Sequence, residues 1–386
     1  MSLHPLVGHE AVRASLAAAH AAGVLPSALL LHGARGVGKQ HLALWLARLV
    51  VCEAPTADGP CDRCGPCRMA KSLEHPDIHW YFPLPRPKGT SRERLAEALE
   101  RARHEALAPV QADSFLPHGT SEVIATHRGT VTIPRSVGSK RPTMAEGPVF
   151  IVGQAETLVP QESSQEAANA LLKLLEEPPG AGRFILTSSE PGLLLPTIRS
   201  RTVPLHVPPL PEARVRALLE ERPGVGPKEA AWAARLGQGS PGRALAFLPD
   251  GEELGPLEKE RRRAYEIVAA ALADGPGAGY ELAVGFPPAG ARALLELFSF
   301  VEAWLRDLAA VSSGADDRVF NHDATERLRR HVAAATVSPA RLPDAFACVE
   351  RARELARGNV NPQLVVSGLV RDIRRALAPG LVGVGS

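Results

Sequence analysis

The run Gly33-Ala-Arg-Gly-Val-Gly38-Lys39 has the residue types and spacing of a phosphate cradle. Glycines let the backbone turn so that successive N–H groups point at phosphate oxygens. A helix that follows such a loop adds the positive end of its dipole. Lys39 is spaced to reach β- and γ-phosphates. The flanks agree: Ala28 to Leu31 is a short apolar strand, and Leu42, Leu46 and Leu49 mark one face of a helix. Strand, glycine loop, lysine and helix in that order distinguish a P-loop from a chance glycine turn. Gly33, Gly36, Gly38, Lys39 and Gln40 are therefore the candidate nucleotide-binding residues.

Two positions argue against turnover. After the lysine a P-loop carries Ser or Thr, whose hydroxyl binds Mg²⁺. Here the residue is Gln40, and its longer, neutral carboxamide changes that geometry. The apolar run Gly147 to Val152 reads as a buried parallel strand. In an active P-loop ATPase this strand ends in Asp-Glu, the Asp helping to hold Mg²⁺ and the Glu polarising the attacking water. Here it ends in Gly153-Gln154, and Glu156 stands two residues further on. Mg²⁺ loses both expected protein ligands. Whether ATP still binds at Lys39 stays open.

A second chemical constellation follows the P-loop helix. Cys52, Cys61, Cys64 and Cys67 are spaced C-x8-C-x2-C-x2-C. Overlapping C-x2-C steps, with Gly65 and Pro66 between them, let four thiolates converge on one tetrahedral ion. Four soft sulfur ligands suit zinc, and a closed set suits a structural role. The fifth cysteine, Cys348, falls in a helical pattern and reads as a core residue. His75 and His79 are read as structural residues of a strand spanning His75 to Phe82, not as metal ligands.

The remaining elements must position these groups. A helix runs from about Leu6 to His20, ended by Gly23 and Pro26. Within the long insertion 83–147, residues Arg92 to about Leu107 read as a solvated helix. The stretch Pro109 to Gly147 is irregular, its Arg128, Arg135, Lys140 and Arg141 reading as solvated loop charge. Glu162 to Glu177 is helical until Pro178-Pro179-Gly180. Arg183 to Ser189 and Thr202 to Val207 are further strands. Strands alternating with helices predict an α/β fold with a parallel sheet covered on both faces. After the linker Pro208–Pro211, three short helices are expected at about Glu212–Glu221, Lys228–Leu236 and Ser240–Phe247. A helical pattern of about five helices continues from Glu252 to about Pro379, with breaks near Gly275, Pro287, Gly314, Pro339 and Gly358.

Composition is that of an ordinary globular protein. The chain has 386 residues, 45% apolar and 22% charged, with a net charge of +2. That near-neutral balance speaks against a zinc-bearing nucleic-acid binder with a vestigial P-loop, which would need a dense basic face. No run of about 18 apolar residues exists, so no membrane span is expected. The first residues lack a basic-then-apolar leader pattern, and a cytoplasmic chain is the expectation.

The order of motifs now carries a resemblance. P-loop, four-cysteine module, a strand without its acidic pair, AANALLKLLEEPP, FILTSSEPGLLLPTIRSR and GSPGRAL together resemble the clamp-loader branch of AAA+ proteins. The likeness covers about residues 4 to 250; beyond that it rests on position and helicity. It implies a P-loop AAA+ core over 1–207 with the zinc module at 52–67, a helical lid at 208–250 and an all-helical collar at 251–386. Ser200-Arg201-Thr202 matches the family's Ser-Arg-Cys motif, with Thr in place of Cys. The resemblance makes Arg201 an arginine finger that enters a neighbouring subunit's ATP site. Arg243 matches the sensor arginine on the lid. The implied partners are gamma/tau-like and delta-like clamp-loader subunits, the sliding clamp, and primed DNA reached through the complex. The preferred reading is a stator without ATPase activity of its own; the rival is a gamma/tau-like motor that hydrolyses ATP.

Overall fold

The computed structural model describes residues 6–83, 98, 101–103, 105, 142–158, 172, 174–178, 181–273, 277–335, 337, 339–358 and 360–378. Most of the insertion 83–147 and of the expected helix Glu162–Glu177 lies outside them. Residues 98, 101–103 and 105 are helical, within the span expected of Arg92–Leu107, and so are residues 172 and 174–176. Arg128, Arg135, Lys140 and Arg141 lie outside the described residues.

The chain divides into two units, Met1–Leu245 and Ala246–Ser386. In the first, α1 (Glu10–Ala21) leads to β1 (Ala28–His32), and α2 (Lys39–Val50) follows the glycine loop. Next come α3 (Gly65–Lys71), β2 (Ile78–Tyr81), β3 (Val149–Val152), β4 (Arg183–Ser188), α4 (Pro196–Arg199) and β5 (Val203–His206). The five strands form one sheet in the order β2-β3-β4-β1-β5, and every described pairing is parallel.

Apolar side chains on both sides of the inner strands β1, β3 and β4 make this arrangement stable. Alternate residues of a strand point to opposite faces. Leu29, Leu31, Ile151 and Ile185 pack with Leu42, Leu46 and Leu49 of α2 on one face. Ala28, Leu30, Phe150, Phe184 and Leu186 pack with Ile198 on the other. Phe150 and Phe184 stack with ring centroids 4.8 Å apart. Strands buried on both faces read as continuous apolar runs, which is why β1, β3 and β4 were visible in the sequence.

One strand starts later than expected. His75 and His79 do not share β2, which begins at Ile78. Pro76 has no N–H to give a ladder, and Asp77 folds the chain locally. Its carboxylate accepts from the backbone N–H groups of Thr143, Met144 and Ala145 at 2.8–2.9 Å. His75 Nδ1 accepts from Asp77 N at 3.1 Å. His79 stacks on Phe150 at 5.4 Å. Neither histidine joins a metal-ligand cluster among the described residues.

After β5 come α5 (Glu212–Glu220), α6 (Pro227–Gly237) and α7 (Pro241–Phe247), close to the expected positions. The second unit contains α8 (Pro256–Leu272), α9 (Gly277–Val284), α10 (Leu294–Ser312), α11 (Thr325–Ala335), α12 (Leu342–Arg357) and α13 (Pro362–Leu377). Six α-helices are thus described where the pattern suggested about five; the short Gly277–Val284 helix stands as its own element. A buried polar set lies inside this bundle. Arg261 bonds to Glu258, Asn321 and Asp323 at 2.7–3.2 Å. Asp307 accepts from Phe320 N and Asn321 N at 2.7 and 2.9 Å. A buried charge is tolerated when it is paired and hydrogen-bonded in this way. Cys348 is buried on α12, as expected of a core residue. No helix among the described residues is long and apolar enough to cross a membrane.

Candidate functional site

The P-loop forms at the C-terminal edge of the sheet, where β1 hands over to α2. Open α/β sheets bind ligands at that edge. Gly36 has φ +76°, and a Cβ there would lie 2.5 Å from Ser240 Oγ and 3.0 Å from Arg243 N. Only glycine allows both the turn and that approach. The loop is stitched to the start of α7: Gly242 N donates to Gly36 O at 2.9 Å, and Ser240 Oγ donates to Arg35 O at 2.8 Å. Gly33, Gly36, Gly38, Lys39 and Arg243 are therefore gathered in one place, as the motifs suggested.

Lys39 is folded back into its own loop. Its Nζ donates to Gly33 O at 2.9 Å, Ala34 O at 2.8 Å and Ser189 Oγ at 3.0 Å. Three donors meet three acceptors, so the ammonium is fully satisfied by the chain itself. Burial lowers its pKa from 10.5 to about 8, opposed by the charge of Glu156. Glu156 sits on a 3-10 turn, Ala155–Leu158, and its Oε1 accepts from Ser189 N at 3.0 Å. Ser189 thus links the P-loop lysine to the Glu156 carboxylate.

Gln40 and Gly153 meet across the site. A Cβ on Gly153 would lie 3.2 Å from Gln40 Nε2 and 3.4 Å from Oε1. The carboxamide therefore lies against the Cα of Gly153. Gln154 takes φ +52°, and its N donates to Thr187 Oγ1 at 3.2 Å. His9 supports the loop from below, its Nε2 donating to Val37 O at 2.8 Å. Burial lowers the His9 pKa, which favours the neutral ring. The sequence reading missed His9 and the contact that Ser240 makes. A histidine ahead of a helix carries no pattern, and Ser240 lies within GSPGRAL without advertising its contact to Arg35.

The four cysteines converge as their spacing required. The Sγ atoms of Cys52, Cys61, Cys64 and Cys67 all lie within 4.8 Å of one another. A tetrahedral zinc with bonds of about 2.3 Å places its sulfurs roughly 3.8 Å apart, so the donor set fits the ion. Backbone N–H groups of Arg63 and Cys64 lower the Cys61 pKa to about 6, which favours the thiolate that a metal needs. Cys61 N donates to Cys52 Sγ at 3.3 Å. The module is tied to the P-loop helix, since Arg48 of α2 pairs with Asp62 at 3.0 Å.

Arg201 stands elsewhere. It precedes β5, which runs parallel to β1 with Leu29 opposite Val203 and His32 opposite His206. Arg201 therefore lies at the N-terminal edge of the sheet, and the P-loop at the C-terminal edge. Thr202 is buried, and its Oγ1 donates to Ile198 O at 3.1 Å, which holds the turn after α4.

The family model described as DNA polymerase III, delta subunit, matches residues 8–211. The chain belongs to this family. Among relatives of the delta-subunit family, the DNA polymerase III subunit delta' of Escherichia coli (strain K12) is 28% identical over 377 residues. That match covers 95% of this chain and 94% of the relative. The DNA polymerase III subunit delta' of Pseudomonas aeruginosa is 33% identical over 234 residues, 61% of this chain and 55% of the relative. The DNA polymerase III subunit gamma/tau of Mycobacterium bovis is 32% identical over 256 residues, 64% of this chain and 36% of the relative. Family membership agrees with the clamp-loader resemblance read from the motifs, and two of these relatives are delta' subunits.

Proposed function

We propose that the chain is a delta-prime-like stator subunit of a clamp loader that does not hydrolyse ATP itself. One observation carries this reading: Gln40 and Gly153, which replace the two protein ligands of Mg²⁺, pack against each other. Lys39 supports it, because its ammonium is engaged by Gly33, Ala34 and Ser189 and must leave all three to meet a phosphate.

Arg201 is the chain's contribution to catalysis. The sheet separates it from this chain's own P-loop, so it serves a neighbouring subunit's ATP. A planar, permanently charged guanidinium stabilises charge developing on transferring phosphoryl oxygens. Hydrolysis then takes place on gamma/tau-like partners, with a delta-like subunit completing the ring. The assembly loads the sliding clamp onto primed DNA in the cytoplasm. In this reading residues 1–207 are the AAA+ core, 208–250 the lid that Ser240 and Gly242 close on the P-loop, and 251–386 the collar. Cys52, Cys61, Cys64 and Cys67 hold a structural zinc, which cross-links the segment after α2. Arg243 lies beside the loop as a lid sensor would, without a Mg²⁺ site to report on.

The rival motor reading has one observation in its favour. Glu156 Oε2 is buried and without a hydrogen-bond partner among the described residues, so a carboxylate is at hand. ATP turnover by the purified chain, with Mg²⁺ and primed DNA, separates the two. The stator reading expects no turnover above a Lys39→Ala control. Turnover that the control loses and Glu156→Gln also loses establishes the motor.

A further inference from the structure

We propose that Glu176 is the positioning residue for Arg201, holding the guanidinium in the orientation from which it meets a neighbour's phosphate. The proposal rests on the reading of Arg201 as a trans finger. Arg201 Nε donates to Glu176 Oε1 at 2.8 Å, and NH2 approaches the same oxygen at 2.5 Å. NH1 donates to Thr197 O at 3.0 Å and reaches Ser200 Oγ at 3.4 Å. The Nε–NH2 edge of the fork is thus taken by one carboxylate oxygen and NH1 by the turn after α4. One NH2 hydrogen is left uncommitted among the described residues.

An arginine side chain has many rotamers, and its planar fork loses least when it is held before it binds. Glu176 sits just before Pro178, where the chain leaves its helix, 25 residues from Arg201 in sequence. The pairing is therefore a tertiary contact between two separate segments of the fold. It occupies a side edge of the fork and does not cover its end.

Magnitudes decide between a positioner and a brake. The side chains of Arg201 and Glu176 are 36% and 49% exposed. An exposed ion pair is worth at most roughly a fivefold change in an equilibrium. An arginine finger is worth about 10³-fold or more in turnover. A pair that weak does not restrain the finger once phosphate is present, but it narrows where the finger points beforehand.

The test is ATP turnover by the reconstituted complex carrying Glu176→Ala, Glu176→Gln, Arg201→Ala or Glu176→Ala with Arg201→Ala. The expected results are as follows. Arg201→Ala lowers turnover at the affected site about 10³-fold. Glu176→Ala lowers kcat roughly fivefold with KM for ATP unchanged. Glu176→Gln, whose amide oxygen still accepts from Nε, recovers most of that loss. The double variant is no slower than Arg201→Ala alone. Glu176→Ala that leaves kcat unchanged or raises it, or a double variant that adds a further loss, overturns the positioning role while the finger stands. Full turnover with Arg201→Ala overturns the finger reading and this inference with it.

Discussion

The Gln40 carboxamide lies against the Cα of Gly153, so that a Cβ added there would stand 3.2 Å from Nε2. The two positions are far apart in sequence and neighbours in space. Each departs from what a Mg²⁺ site needs, and each departure accommodates the other: a bulkier carboxamide faces a residue with no side chain.

This contact predicts coupled substitutions. Gly153→Asp alone overpacks the site and destabilises the chain by about 1–3 kcal/mol. Gln40→Ser alone has a smaller effect. The pair together recovers part of the loss, a coupling of roughly 0.5–3 kcal/mol in a double-mutant cycle. Denaturant melts of the four proteins measure it, and simple additivity contradicts the contact.

Lys39 is expected to act as a structural residue of the loop. Lys39→Ala leaves Gly33 O and Ala34 O without their donor. A buried group left unpaired costs about 1–3 kcal/mol. Thermal melts without nucleotide should therefore show a lower Tm for Lys39→Ala. A lysine merely waiting for phosphate would give no shift.

The Lys39 pKa gives this prediction a pH signature. Its folded value of about 8 lies below the ordinary 10.5. Between those values the unfolded chain holds more proton than the folded one, so stability rises with pH across that window. Below about pH 8 the burial penalty is fully present and constant. The stability difference between the natural chain and Lys39→Met should grow from pH 8 to pH 10. A flat difference contradicts the buried ammonium.

The four-cysteine cluster predicts about one zinc per chain by metal analysis. Removal by a strong chelator, or Cys64→Ser, should lower Tm, because four-ligand zinc sites contribute folding free energy directly. A metal-free chain with an unchanged melt contradicts the assignment.

The sheet and both clusters were legible in the sequence for a local reason. Buried parallel strands are continuous apolar runs, and a P-loop or a C-x2-C step is a short-range pattern. β2 was misplaced by three residues because His75 and Asp77 find their partners in each other and in Thr143 to Ala145, which no period reveals. The state of Lys39 was equally hidden: Ser189 is 150 residues away. The Glu176–Arg201 pair is of the same kind. The motifs name both residues, but only the fold joins them.

The most direct measurement compares Arg201→Ala with Lys39→Ala in the reconstituted complex, following ATP turnover site by site. The account predicts that Arg201→Ala cuts turnover at one neighbouring site about 10³-fold with assembly intact. It predicts that Lys39→Ala, in complexes that assemble, leaves turnover unchanged. The opposite pattern, with turnover lost at Lys39 and kept at Arg201, contradicts the account.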